Sequence, residues 1–384
     1  MRFADALSGP GLGAIAEVKR RSPSAGDLRP DADPARLAAA FAEAGAAAVS
    51  VLVDERFGGT VDDLRAARAA TSVPLLGKGF FSTEEDLREL RDAGADAVLL
   101  LLRDLDDATA ARLLAYTEEL GVDALVEAHD EVELDRAHRL GARVIGINAR
   151  DLSTFRIDRA AQLDLVARAA ADVVVAESGV HTRAQGAAAE LAGAKAILVG
   201  SSLMRAADPA AKLRELVSRP LVKVCGLTRQ EDVDQAVEAG ADLVGFIFAE
   251  GSPRRAPAVL PVSDTVLSVA VFVGEPEERG ADLVQVYTHE EGVVRGRDAV
   301  LLRNGEPVAR VADLPWEGED PEHLRRAAAE NGRLVLAGKL GPANVRAAVD
   351  AVHPWAVDAA SQLEAAPGIK DHAKVRAFVE AAHA

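Results

Sequence analysis

The 384-residue sequence predicts an α/β protein made of two (β/α)8 TIM barrels in tandem, the second shortened and irregular. Three observations carry this expectation. A phrase built from a helix end, a glycine and a short Val/Ile/Leu run recurs as EAGAAAVSVL (43–52), DAGADAVLLL (92–101), RLGARVIGIN (139–148), LAGAKAILVG (191–200) and EAGADLVGFI (238–247). Its glycines lie 49, 47, 52 and 47 residues apart, long enough for two βα units per interval. The strand-like runs are continuously apolar, as strands of a parallel sheet buried on both faces require.

The elements follow in order. Eight strand candidates occupy the first half: 14–19, 47–53, 73–78, 96–102, 122–127, 143–148, 172–177 and 195–200, with helical patterns between them. Eight parallel units in roughly 200 residues indicate closure into a barrel. An open doubly wound sheet is the competing arrangement, but no G-x-G-x-x-G follows the first strand. A helix over 210–217 ends near Ser218-Arg219-Pro220, which divides the chain into domains 1–218 and 219–384. The second half restarts the same pattern at 221–225, 242–248, 268–273 and 282–287. It turns irregular over 292–316, which is rich in Gly, Arg and turn residues, and resumes strands at 334–338 and 355–360.

Composition narrows the function. Hydrophobic residues make up 49% and charged residues 27%, a globular balance with enough apolar material for a core. A net charge of −17 repels phosphate backbones and anionic lipid, which disfavours nucleic acid and membrane as partners. Aromatics at 4% make a stacking platform for single strands a poor expectation. With Cys225 alone no intramolecular disulfide forms, which fits a reducing cytoplasm. The N-terminus reads as no signal peptide, and no run suggests a membrane span.

Catalytic groups of a β/α barrel sit where strands end and βα loops begin. There the sequence places Glu17 and Lys19, Lys78, Glu127, Asn148, Glu177-Ser178-Gly179 and Gly200-Ser201. Ionisable groups ending apolar strands are costly to desolvate and need a reason. One reason is a ring of ion pairs that merely closes the barrel top. The other is general acid–base chemistry: lysines and glutamates in one mouth hold each other in different protonation states. Gly179, Gly200 and Ser201 follow the seventh and eighth strands, where barrels bind phosphate through backbone N–H groups. Glycine there is also simply a turn former.

The strings AEVKRRSPSAGDL, LVEAHDEVELDRAHRLGARVIGINARDLSTFRID, VAESGV and ILVGSSLM resemble indole-3-glycerol phosphate synthase over nearly all of 12–216. The resemblance implies decarboxylating ring closure of 1-(2-carboxyphenylamino)-1-deoxyribulose 5-phosphate to indole-3-glycerol phosphate, in tryptophan biosynthesis, with no metal or organic cofactor. It casts Lys78 as the general acid at the ketone oxygen and Glu127 as its partner in dehydration. Lys19, paired with Glu17, would grip the substrate carboxylate. Asn148 and Glu177 would orient ring and hydroxyls. Ser22, Phe80, Arg150, Ser178, Gly179, Gly200 and Ser201 would line the substrate and phosphate sites. Three departures stand out. Lys-Asp-Phe has become Lys78-Gly79-Phe80, and Asn-Asn-Arg has become Asn148-Ala149-Arg150. The extension that caps the mouth is reduced to about a dozen residues.

The second half begins LVKVCGLTRQEDVDQAVEAGADLVGFIFAEGSPRRAP and ends with LAGKLGPANV and VDAASQLEAAPGIKDHAKVRAF. These strings resemble phosphoribosylanthranilate isomerase. The resemblance implies Cys225 as general base of an Amadori rearrangement and Arg254 as the anthranilate-carboxylate ligand. Asp313, before Leu314-Pro315-Trp316, is the remnant of the general acid on a weak strand, and the Gly-Gly-Thr-Gly loop after it is missing. Gln-Leu-His-Gly has become Gln285-Val286-Tyr287-Thr288, and two phosphate-loop glycines have become Lys339 and Gln362. Two readings stay open: a bifunctional enzyme, and a synthase with a decayed isomerase-like domain kept for structure or assembly. A third, a non-catalytic sensor of phosphosugars, runs against the Lys78/Glu127 pair. Expected partners are small phosphorylated anthranilate-sugar substrates. The expected state is a cytoplasmic monomer or weak oligomer.

Overall fold

The computed structural model describes residues 2–22, 26–151, 154–288, 298–313, 321–329 and 332–384. It divides into two compact units: Met1–His181 with Gly186–Val217, and Thr182–Gln185 with Ser218–Ala384. Each unit contains a closed eight-stranded barrel. Barrel strands are numbered β1 to β16 in chain order.

In the first unit the strands are β1 (Gly13–Val18), β2 (Ala48–Leu52), β3 (Leu75–Lys78), β4 (Ala97–Leu101), β5 (Asp123–Ala128), β6 (Val144–Asn148), β7 (Val173–Glu177) and β8 (Ala196–Val199). Every neighbouring pair is parallel, and β1 pairs with both β2 and β8 to close the ring. The five recurrent glycines, Gly45, Gly94, Gly141, Gly193 and Gly240, all adopt positive φ, from 70° to 117°. Only a residue without Cβ does this cheaply, and it turns the chain from helix to strand.

The period of two along each strand positions the site. Ala14, Ala16 and Val18 of β1 pack toward the helices, while Ile15 belongs to the barrel interior with Leu76, Leu99, Leu125, Val144, Val173, Val175 and Leu198. Two residues beyond these interior anchors come Glu17, Lys78, Leu101, Glu127, Glu177 and Gly200, and on β6 the inward set Val144, Gly146, Asn148. The polar groups thus form the top layer of a barrel whose lower layers are hydrocarbon. The short N-terminal extension does not cap this mouth. Helix α1 (Phe3–Leu7) buries Phe3 and Leu7 among the interior residues, and Ala4 N–H donates to Asp123 at the start of β5, 3.0 Å away. The extension seals the opposite end, with each large side chain contributing about 1.5–3 kcal/mol by burial.

In the second unit the strands are β9 (Leu221–Cys225), β10 (Leu243–Ile247), β11 (Leu267–Val273), β12 (Leu283–Tyr287), β13 (Asp298–Arg303), β14 (Glu306–Asp313), β15 (Leu334–Ala337) and β16 (Ala356–Ala359). The irregular stretch is a correction to the sequence reading: it holds two strands. β13 runs antiparallel to both β12 and β14, and the other pairs are parallel. The turn between β13 and β14 is Asn304-Gly305 with φ of 52° and 83°, the two left-handed residues a tight hairpin demands. Asp313 likewise ends an eight-residue strand rather than a weak one. Leu314-Pro315-Trp316 lies outside the described residues. Among the described residues the second unit's helices are Gln230–Glu238, Pro321–Ala328, Val345–Val352 and His372–His383. No helix there or in the first unit, among the described residues, is long and apolar enough to cross a membrane.

Candidate active sites

A cavity opens at the C-terminal ends of β1–β8 and holds about 970 Å³ of atom-free space, its open mouth included. All thirteen first-half residues singled out from the sequence line it: Glu17, Lys19, Ser22, Lys78, Phe80, Glu127, Asn148, Arg150, Glu177, Ser178, Gly179, Gly200 and Ser201. A closed ion-pair ring would leave no such hollow.

Lys78 is the electrostatic centre. Its Nζ donates to Glu177 Oε2 and lies 3.4 Å from Glu127 Oε2 and 3.8 Å from Glu17 Oε2. Burial works against its charge, but the carboxylates of Glu177, Glu127 and Glu17 outweigh that and hold its pKa above the ordinary lysine value. The carboxyls diverge. Burial followed by the negative charge of Glu127 pushes Glu177 up to about 8, against the pull of Lys78. Glu127 resists burial because Lys78, His129 and the Asn148 amide (Nδ2 to Oε1, 2.8 Å) hold it below the usual carboxylate range. Glu17 also resists burial, held low by Lys19, whose Nζ is 2.7 Å away, and by Lys78. Near neutral pH the site therefore offers one protonated carboxyl, two carboxylates and an ammonium in contact, the separation of protonation states that acid–base chemistry uses.

Small residues make the room. A Cβ at Gly146 would come within 2.1 Å of Glu177 Oε1, and one at Gly200 within 2.4 Å of Glu17 Oε1 and 3.0 Å of Lys19 Cε. Ser178 and Gly179 adopt consecutive positive φ of 68° and 73° after β7. Gly200 precedes the short helix Ser201–Arg205 after β8. Arg150 is half-buried at the same mouth, its backbone N–H donating to Asn148 Oδ1 at 3.0 Å.

Sequence reasoning missed several residues of this cavity. Phe57, Phe155, His181 and Ser202 also line it. Phe57 and Phe80 stack with centroids 6.3 Å apart, and the Arg56 guanidinium lies 3.8 Å from the Phe80 ring centroid, braced by Asp54. His181 Nδ1 and Ser202 Oγ are 3.1 Å apart. The signal for the Phe57 loop was the Asp-Glu-Arg-Phe-Gly-Gly run after β2. His181 and Ser202 follow directly on the two glycine loops.

The family model for indole-3-glycerol phosphate synthase matches residues 1–216. The chain belongs to the indole-3-glycerol phosphate synthase family. It is 47% identical over 215 residues to indole-3-glycerol phosphate synthase of Mycobacterium ulcerans, covering 56% of this chain and 79% of that protein. It is 50% identical over 217 residues to indole-3-glycerol phosphate synthase 2 of Streptomyces coelicolor, covering 56% and 84%. The family's match ends where the second unit begins. In the last part of the second unit, the family model for N-(5'-phosphoribosyl)anthranilate isomerase matches residues 319–381. Solved structures similar to this chain include TrpF from Jonesia denitrificans (28% identity, 43% of this chain and 97% of that one, TM-score 0.34). Phosphoribosyl anthranilate isomerase from Thermotoga maritima is another (27%, 43% and 98%, TM-score 0.36).

Beyond the synthase-like barrel, the second unit carries a buried polar chain. Lys223 on β9 donates to Asp358 Oδ2 at 2.8 Å and Gln285 Oε1 at 2.6 Å. The Gln285 amide donates to Tyr287 Oη at 3.0 Å, and that hydroxyl donates to Asp313 Oδ2 at 3.1 Å. Cys225, two residues past Lys223 and so on the same inner face, is buried. Burial lifts its thiol above the ordinary value, while the nearby Lys223 ammonium pulls it down. A Cβ at Gly245 would come within 2.7 Å of the Cys225 sulfur. Arg254 forms a bidentate pair with Glu364, both contacts 2.8 Å, and Lys370 Nζ lies 3.3 Å from the same carboxylate. The structure thus links Asp313 to the interior of the barrel and places Arg254 on an internal carboxylate. Lys339 is exposed at φ 49°, a conformation that suits the glycine expected there.

Proposed function

We propose that the first unit performs the decarboxylating ring closure that gives indole-3-glycerol phosphate, with the roles expected from the sequence. One observation carries the reading: a lysine ringed by three glutamates in unlike protonation states, in an open cavity edged by Lys19 and Arg150. As the aromatic carbon bearing the carboxylate attacks the ketone carbon, the Lys78 ammonium gives a proton to the ketone oxygen. Lys19, steadied by Glu17, and Arg150 bind the anionic ends. Loss of CO2 and then of water restores aromaticity, with Glu127 taking the ring proton and the protonated carboxyl of Glu177 close enough to assist the departing hydroxyl. Ser22, Ser178, Gly179, Gly200 and Ser201 hold the phosphate, and Phe80 faces the aromatic ring. The test is a fluorescence assay of indoleglycerol phosphate formation by the purified chain. Wild-type turnover that vanishes in Lys78→Ala supports the reading. An inactive wild type across substrate and enzyme concentrations ends it.

For the second unit we propose the isomerisation of phosphoribosylanthranilate. The support is that Cys225 and Asp313 both end strands of one barrel and are joined to its interior through the Lys223–Gln285–Tyr287 chain. Asp313 would protonate the ring oxygen as the furanose opens to the iminium. Cys225, with the Lys223 ammonium opposing the burial that raises its thiol, would remove the C2′ proton as the thiolate to give the enolamine. Rescue of a strain lacking only this isomerase separates an active second unit from a decayed one.

A further inference from the structure

Behind the first unit's cavity lies a histidine that the roles above leave unused. His129 is two residues past Glu127 on the loop after β5, and its side chain is largely but not fully buried, 12% exposed. Its Nε2 lies 3.2 Å from Glu127 Oε1. Its Nδ1 lies 3.0 Å from Glu133 Oε2, and its backbone N–H donates to the same oxygen at 2.9 Å. Glu133 sits in the first turn of helix α2 (Glu131–Arg139), and its own N–H is capped by Asp130 at 2.8 Å. The ring is therefore clamped at one nitrogen and presents the other to Glu127. It does not line the cavity.

We propose that His129, locked onto Glu133, is a positioning residue that fixes the Glu127 carboxylate toward Lys78; this rests on the synthase reading of that site. The geometry forms a line of alternating charge, Glu133, His129, Glu127 and Lys78, which ends on the protonated carboxyl of Glu177. Glu127 Oε1 faces His129 and the Asn148 amide, and Oε2 faces Lys78. A carboxylate hydrogen-bonded at Oε1 by the Asn148 amide and flanked by a positive charge at each oxygen is biased toward one orientation at its target. The other charges bearing on Glu127 are Glu177 and Glu17, which oppose its ionisation, and Arg103, itself paired with Asp104. Burial disfavours a charged ring, but Glu127 and Glu133 override it and raise His129 to about 10. The ring is then a fixed imidazolium across the working pH range. Remove that charge and Glu127 competes with Glu177 for the proton the pair holds.

The test uses the full chain and the variants His129→Asn and Glu133→Gln. In His129→Asn the synthase kcat should fall about tenfold, the scale typical of outer-layer partners. KM should stay within about twofold, and the acidic limb of the kcat profile should move up by about one pH unit. Glu133→Gln should show the same changes at smaller size. A melting curve like wild type excludes misfolding as the cause. In the wild type, nitrogen-15 NMR of the ring should show His129 protonated through pH 8, a readout that needs no turnover. The proposal is overturned by a His129→Asn enzyme whose kcat and pH profile match wild type. It is equally overturned by a loss of kcat with no movement of the acidic limb, or by a ring that titrates near the ordinary histidine value. In each of those outcomes the synthase reading survives on wild-type turnover. A wild type without synthase activity overturns both.

Discussion

The two barrels share one grammar but treat their charges differently. In the first, the polar residues of the cavity sit in the top layer above hydrocarbon, and Lys78 meets three carboxyl groups at the wall of an open cavity. In the second, charge runs deeper: Lys223, Gln285 and Asp358 fill the layer below Cys225, and Tyr287 ties that layer to Asp313. Buried ionic groups that satisfy one another specify an arrangement at some cost in stability. Groups left in imbalance, with one carboxyl protonated beside one ionised, supply chemistry. The contrast teaches that one strand-end geometry can be charged in two ways: over hydrocarbon, where the conflict is confined to the top layer, or over a satisfied polar layer that reaches up to the strand ends.

The largest way to break this comparison is Lys78→Ala. Synthase kcat should fall by about 10³-fold or more, as expected when a general acid and its positive charge are lost together. The first unit should also lose about 3 kcal/mol at pH 8, because Glu127 and Glu177 are left buried without the Lys78 ammonium between them. That penalty should shrink toward pH 5 as the carboxyls take up protons. The isomerase assay should be unchanged. If synthase activity survives, the charge conflict at the top layer is decoration. Next is Cys225→Ala, which should lower isomerase turnover about 10²-fold or more and leave synthase turnover within about twofold. Loss of the synthase in this variant would mean that the units are not independent.

A smaller effect is written in the pH dependence of the first unit's stability. Glu177 sits at about 8 against an unperturbed 4.5, and His129 at about 10 against 6.5. Both values are raised in the folded state, so their stabilising contributions are complete below the unfolded values. They drain away as pH rises through 4.5–8 and 6.5–10 respectively. Stability of the first unit should therefore decline with rising pH, by up to about 1.4 kcal/mol per pH unit for each proton that differs. Urea unfolding followed by circular dichroism at pH 6 to 9 measures it. Glu177→Gln should flatten the lower part of the slope, and an unchanged slope would place the proton elsewhere. Both tryptophans, Trp316 and Trp355, belong to the second unit, so their fluorescence follows that unit alone in the same experiment.

Much of this was legible from the chain, for identifiable reasons. Glycines at helix ends and unbroken apolar runs have one physical use each, and the eight first-barrel strands fall within two residues of where the sequence puts them. Lys78, Glu127 and Glu177 could be named because an ionisable group ending an apolar strand is hard to explain otherwise. What stayed hidden depends on three-dimensional neighbours. His129 is unremarkable in sequence, and only the turn into α2 brings Glu133 back onto its ring. Gly146 looks like any strand glycine until Glu177 is seen to need its volume. The β13–β14 hairpin is a different kind of miss. Asn304-Gly305 between apolar runs was a plain hairpin signal, overlooked because a barrel of parallel units leaves no place for an antiparallel strand.

The smallest effect sharpens the comparison most at Lys339, where the sequence resemblance expects a phosphate-loop glycine. Lys339 holds φ 49°, which costs a residue with a Cβ roughly 1 kcal/mol or more relative to glycine. Lys339→Gly relieves that strain but gives the unfolded chain more freedom, a loss of about 0.5–1 kcal/mol. The net gain, read from tryptophan fluorescence in urea, should be under about 1 kcal/mol. The kinetic consequence distinguishes two histories of the site. If the lysine blocks backbone approach to the phosphate, the variant should lower the isomerase KM severalfold at unchanged kcat. If the ammonium has taken over as the phosphate's partner, the same variant should raise KM, with the rise shrinking at high salt as an exposed charge contact does. A KM unmoved in either direction would separate Lys339 from the phosphate altogether. The second barrel's departure from glycine there would then be a matter of backbone strain only.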